Sequence, residues 1–122
     1  MPRVLIVEDE ALIAMVLEDW LSELAYESVG PAASARAALA LIESTPLDAA
    51  ILDVTLREGD SFAVAEALRT RNVPFAFATG RGPASIDARF RDAPILIKPF
   101  QLEAVRDALT TLLGQPPAQP LT

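Results

Sequence analysis

The chain has 122 residues, enough for one domain with a single core, and sets ten Lys plus Arg against 17 Asp plus Glu for a formal net charge of -7, which opposes phosphate backbones and anionic membrane surfaces. It has no cysteine and no histidine, so disulfides, thiolate catalysis, Cys-based zinc sites and a histidine general base are excluded. Carboxylates, hydroxyls, amines and backbone oxygens remain, a set suited to hard cations such as Mg²⁺. Direct binding of nucleic acid or membrane is not expected. The opening Met1-Pro2-Arg3 is followed by four apolar residues and then Glu8-Asp9-Glu10, which is not a signal-peptide pattern. No apolar run approaches membrane-spanning length, so a soluble, cytoplasmic protein is expected.

Val4-Leu5-Ile6-Val7 is a continuous apolar run, the pattern of a strand covered on both faces in a parallel sheet. After Glu8-Asp9-Glu10, the residues Ile13, Val16, Leu17, Trp20, Leu21 and Leu24 recur at helical spacing and predict the first helix with that face inward. A short strand around Glu27 to Gly30 follows, then a helix from an N-cap at Ser34 to about Ser44 with Ala38, Leu41 and Ile42 inward. Pro46 ends that pattern. Ala49 to Leu52 reads as a central strand that delivers Asp53 into a loop, after which Asp60 or Ser61 caps a helix to about Arg71 carrying Val64, Ala67 and Leu68. Phe75 to Ala78 is a fourth strand, stopped by Thr79-Gly80. The helix after it is weakly encoded, because only Ile86 and Phe90 have core-facing spacing, and a short or mobile element is expected there. Ile95-Leu96-Ile97 forms a fifth strand, and Leu102, Val105, Leu109 and Leu112 mark a last helix closed by Gly114. Residues 1–114 thus read as one domain, and Gln115 to Thr122, with three prolines, as a loose tail. Five strands alternating with five helices predict a wound parallel α/β sheet with helices on both faces.

Connections of that kind bring the C-terminal ends of all strands to one edge, where open α/β sheets place ligands. Glu8 and Asp9 follow the first strand, Asp53 the third, Thr79 the fourth and Lys98 the fifth. Each has an ordinary role as helix cap, turn former, strand residue or surface lysine. Together they set acids, a hydroxyl and an ammonium on one edge. Two carboxylates about 4 Å apart repel by roughly 4 kcal/mol at an effective dielectric near 20, so such a cluster calls for a cation. Mg²⁺ meets that need, being held by one or two carboxylates plus a phosphate. Thr79 and Lys98 would then face a phosphoryl group, with Asp53 as nucleophile.

At Val-Leu-Ile-Val-Glu-Asp-Glu (4–10), Ile-Leu-Asp-Val (51–54), Ala-Thr-Gly (78–80) and Ile-Lys-Pro-Phe (97–100), the chain resembles the receiver domain of two-component response regulators over residues 3 to 113. The resemblance implies a flavodoxin-like five-stranded parallel sheet of order 2-1-3-4-5. It implies that Asp53 accepts a phosphoryl group from a histidine kinase or phosphotransfer protein. It also implies that Asp9, Asp53 and the backbone carbonyl of Thr55 hold Mg²⁺, with Glu8 acting through water. Thr79 and Lys98 would contact the phosphoryl group, and the Lys98–Pro99 peptide would be cis. The absence of histidine agrees with a donor imidazole from another chain. Phe77-Ala78-Thr79-Gly80 is similar to the "FAT GUY" receivers associated with HWE-type kinases, although Gly82 stands where their Tyr would be. Ile95 occupies the family's usual aromatic switch position, Arg57 replaces a frequent Pro, and Thr55 and Arg81 occupy positions that tune dephosphorylation.

The expected function is a single-domain response regulator acting as a switch or a phosphate shuttle, with no enzymatic activity beyond its own phosphorylation and dephosphorylation. The alternative is a receiver-like scaffold that is not phosphorylated, for which the set Glu8, Asp9, Asp53, Thr79 and Lys98 would be unnecessary. A flavodoxin-like cofactor protein is disfavoured, because three acids after the first strand would repel a bound phosphate. An Asp-nucleophile phosphatase would want a second acid where Thr55 stands.

Overall fold

The structure, a computed structural model, describes residues 1–114. The tail expected from Gln115 to Thr122 lies outside the described residues. Five parallel strands, β1 (Arg3–Val7), β2 (Glu27–Ala32), β3 (Ala49–Asp53), β4 (Phe75–Thr79) and β5 (Ile95–Ile97), pair in the order β2-β1-β3-β4-β5. Four α-helices, α1 (Ala11–Glu23), α2 (Ala35–Ser44), α3 (Phe62–Thr70) and α4 (Leu102–Leu113), cover the two faces. This is the flavodoxin-like topology expected.

The apolar runs of β1 and β3 are continuous because their residues alternate between two cores. Leu5, Val7, Ala50 and Leu52 pack with Ala38 and Ile42 of α2 and Val64, Ala65 and Leu68 of α3. Val4, Ile6, Ala49 and Ile51 pack on the other side with Leu17 and Leu21 of α1 and Val105 and Leu109 of α4. β3 is buried along its whole length, so the loop that follows it emerges from the centre of the edge.

Capping follows the expected chemistry only in part. Ser34 Oγ accepts from Ala37 N–H at 3.1 Å. At α3 the boundary residue is Ser61, but its hydroxyl is buried without a partner, and Asp60 Oδ1 instead accepts from Phe62 N–H at 3.1 Å. Gly114 closes α4 in the left-handed conformation. Gly30, at φ +93°, is required where β2 bends over β1: a Cβ there would meet Ala32 N at 2.8 Å and Ile6 O at 3.0 Å, both backbone. The bend lets Ala32 pair with Val7, and Ala32 O accepts the Glu8 N–H at 3.0 Å. A glycine on the edge strand thereby fixes the first acid of the site.

Three features differ from expectation. Val16, assigned to the inward face of α1, is 42% exposed, because Ala14, Leu17 and Leu21 form the buried stripe. No fifth α-helix follows β4. Two 3₁₀ turns, Pro83–Ser85 and Ala88–Phe90, stand in its place, and they bury Ile86 and Phe90, the two residues with core-facing spacing. A third apolar residue at helical spacing is missing from the stretch, so an α-helix would have no stripe to bury. Finally, the loop after β3 carries a small antiparallel ribbon, Thr55–Leu56 with Gly59–Asp60, that the sequence pattern did not announce.

Candidate functional site

The ends of β1, β3 and β5 bring four side chains into one cluster. Glu8 and Asp53 are almost completely buried, at 3% and 6% exposed. Lys98 Nζ donates to Asp53 Oδ2 at 3.0 Å and to Glu8 Oε1 at 3.1 Å. One carboxylate oxygen each from Glu8, Asp9 and Asp53 lies within 4.8 Å of the others. The remaining lone pairs are directed by backbone: Asp53 Oδ1 accepts from Thr55 N–H at 3.3 Å, and Glu8 Oε2 from Glu10 N–H at 3.1 Å. Asp9 does not cap α1. Its Oδ2 accepts from Arg57 N–H at 2.7 Å, and the Arg57 guanidinium stands 3.7 Å away.

Lys98 is placed by its main chain as well, since its N–H donates to Thr79 O at 2.9 Å and the Lys98–Pro99 peptide is cis, as the resemblance implies. A second cis peptide, Gly30–Pro31, was not anticipated.

Glu8 and Asp53 share one ammonium while Asp9 has only the exposed Arg57 guanidinium, and the electrostatics show the imbalance. Burial, followed by the hydrogen bonding and charge of Asp53, pushes the Glu8 carboxyl from its ordinary 4.5 up to about 7. Burial alone would lower Lys98, but the hydrogen bonds and charges of Asp53 and Glu8 outweigh it and hold the ammonium above its usual value. An all-oxygen donor set of excess negative charge fits a hard divalent cation, and these acids could hold one.

Thr79 does not join the cluster. It is 3% exposed at the end of β4, and its Oγ1 accepts from Arg81 N–H and pairs with Ser85 Oγ, both at 3.0 Å. Among the described residues its hydroxyl makes no hydrogen bond to Asp53, Glu8 or Lys98. Sequence reasoning placed Glu8, Asp9, Asp53 and Lys98 together and put Thr55 beside them. It missed Ser85 and the Arg57–Asp9 contact, for which periodicity carries no signal.

Residues 4–110 match the family model described as "Response regulator receiver domain". The chain belongs to this family. Receiver domains are the phosphorylation-dependent signalling modules of two-component systems. This receiver is 35% identical over 111 residues to the transcriptional regulatory protein PdtaR of Mycobacterium tuberculosis, in an alignment covering 88% of this chain and 54% of PdtaR. The chain thus spans about half the length of that relative. It is similar to the solution structure of SdrG from Sphingomonas melonis Fr1, with a TM-score of 0.83, 53% identity, and coverage of 93% of this receiver and 97% of SdrG. The BeF3-activated conformation of SdrG matches with a TM-score of 0.79 at the same identity, over 91% and 95% of the two chains. TrrA of Thermotoga maritima, solved in complex with Mg(2+)-BeF, matches with a TM-score of 0.82 and 26% identity over 93% of this receiver and all of TrrA. Among the described residues no helix is long and apolar enough to cross a membrane.

Proposed function

We propose that this receiver accepts a phosphoryl group on Asp53 from a partner histidine kinase or phosphotransfer protein and signals through a change in its protein contacts. The observation that carries this reading is the convergence of Lys98 on both Asp53 and Glu8 at the end of the sheet, beside Asp9. In the reaction a carboxylate oxygen of Asp53 attacks the phosphorus of a phosphohistidine. The new O–P bond forms as the P–N bond breaks, and the electron pair leaves with the donor imidazole. The donor imidazole lies outside these 122 residues, which contain no histidine.

Glu8, Asp9, Asp53 and the Thr55 carbonyl would hold Mg²⁺, which when bound supplies positive charge against the carboxylates and the incoming phosphoryl oxygens. Lys98 neutralises charge on the transferred group, with its ammonium already 3.0 Å from Asp53. The Thr55 N–H, at Asp53 Oδ1, orients the carboxylate. The Mg²⁺ and beryllofluoride bound to TrrA, and the BeF3-activated form of SdrG, support the same chemistry here.

The apolar recess of Leu12, Ile13, Val16, Trp20, Pro99 and Phe100 flanks Lys98 and gives the phosphodonor protein a surface to cover while it reaches Asp53. The receiver then works as a cytoplasmic switch or phosphate shuttle, its Phe77-Ala78-Thr79-Gly80 stretch favouring an HWE-type kinase as donor. Incubation with acetyl phosphate and Mg²⁺ should add one phosphoryl group by intact mass, lost in Asp53→Ala. No adduct from acetyl phosphate or from a cognate kinase would leave the scaffold reading in its place.

A further inference from the structure

The hydroxyl network around Thr79 closes in only one way. Ser85 Oγ donates to Gly82 O at 2.7 Å, and a carbonyl oxygen can only accept. A hydroxyl has one proton, so the Ser85 proton is committed. In the 3.0 Å pair between Thr79 Oγ1 and Ser85 Oγ, Thr79 is therefore the donor. Thr79 Oγ1 also accepts from Arg81 N–H at 3.0 Å. The single proton of Thr79 is spent on Ser85, and the hydroxyl is buried, so water does not offer an easy substitute.

A phosphoryl group on Asp53 presents oxygens that accept. Thr79 can serve it only as a donor, and only by withdrawing its proton from Ser85. We infer that Ser85 is a latch: its hydroxyl holds Thr79 away from the phosphorylation site, and phosphorylation of Asp53 and the Thr79–Ser85 hydrogen bond exclude each other. This rests on the function proposed above and names the positioning residue that sets its threshold.

The consequence is mechanical as well as energetic. Ser85 ends the first 3₁₀ turn, whose Ser85 N–H and Ile86 N–H donate to Gly82 O and Pro83 O, and Ile86 is buried in the core. When Thr79 turns towards Asp53, the 81–85 loop loses its tie to β4. Ile95 stands where the family's aromatic switch residue would be, so the serine supplies a coupling that an aromatic ring does not. By reciprocity, whatever frees Thr79 favours the phosphorylated state, and a partner that grips the released loop does so too.

Beryllofluoride with Mg²⁺ serves as the probe, followed by amide NMR on wild type, Ser85→Ala, Thr79→Ala and the double variant. In wild type, saturation should shift the Arg81, Gly82 and Ser85 amides, because Arg81 N–H loses its acceptor. Ser85→Ala should tighten apparent binding about fivefold, the worth of one net hydrogen bond. In the Thr79→Ala background the same serine change should have no effect, since no hydroxyl is left to hold. An unchanged affinity in Ser85→Ala, an equal gain without Thr79, or unmoved 81–85 amides at saturation would each overturn the latch while leaving the proposed function intact. Failure of wild type to bind beryllofluoride at all would overturn both.

Discussion

The Glu8 carboxyl shows what the cluster costs when no cation is bound. Its proton is held up to about pH 7 in the folded chain against 4.5 ordinarily, first by burial and then by Asp53. The folded state therefore binds more protons than the unfolded one between those values. The Glu8 contribution to stability is fully present below pH 4.5 and is lost as pH rises through 7, about 3 kcal/mol across the window. Urea unfolding in Mg²⁺-free buffer at pH 5 and pH 7.5 should show this loss, and Glu8→Gln should flatten it. Equal slopes in the two proteins would remove Glu8 as the cause. Arg57 makes a smaller claim. Its N–H to Asp9 survives Arg57→Ala, and its guanidinium side chain is 80% exposed. Arg57→Ala should then raise Mg²⁺ affinity by no more than about threefold, the scale of an exposed ion pair, in a titration followed by Trp20 fluorescence or calorimetry.

The segment between β4 and β5 is anchored by one ring and dressed with charges. Phe90 is 1% exposed and contacts the rings of Phe62, Phe75 and Phe77 at centroid distances of 5.9, 6.0 and 5.9 Å. Around it Arg69 bonds Arg89 O and Asp92, while Arg89 reaches Glu66 and Asp87, all on the surface. Burial of a large ring outweighs exposed pairs. Phe90→Ala should cost about 3–4 kcal/mol by denaturant unfolding and Arg89→Ala under about 1 kcal/mol; comparable losses would make the ion pairs the true anchor. Legibility in the sequence follows the same division. Strands, the two acid-bearing strand ends and the lysine after the fifth strand were readable because apolar runs must be covered on both sides and their ends must share an edge. Ile86 and Phe90 were readable as buried but not as two 3₁₀ turns, since two apolar residues fix burial without fixing a period. Ser85, Arg57 and the Thr55–Asp60 ribbon were not readable, because they depend on where loops cross and carry no periodic signature.

Across the whole molecule, charge and apolar surface divide the work of recognition at one edge. The acidic recess has the donor set for a cation and a phosphoryl group, and because Asp53 is only 6% exposed a protein donor reaches it by covering the rim, whereas a small donor enters unaided. The rim on the α1 side is apolar: Leu12 is 76% exposed, and Met15 and Val16 lie near it in sequence on the same solvent-facing side of the helix. Leu12 contributes little to the fold at that exposure, so a change there separates docking from chemistry. Leu12→Asp should leave phosphorylation by acetyl phosphate unchanged, because a small donor needs no docking surface. Transfer from the cognate kinase should slow about tenfold, the effect of losing one interface anchor of ~1.4 kcal/mol. Both rates can be followed by intact mass on a single preparation. If Leu12→Asp slows both donors equally, the helix face acts on the site itself; if it slows neither, the donor approaches from another side, over the 80–85 loop that holds Thr79.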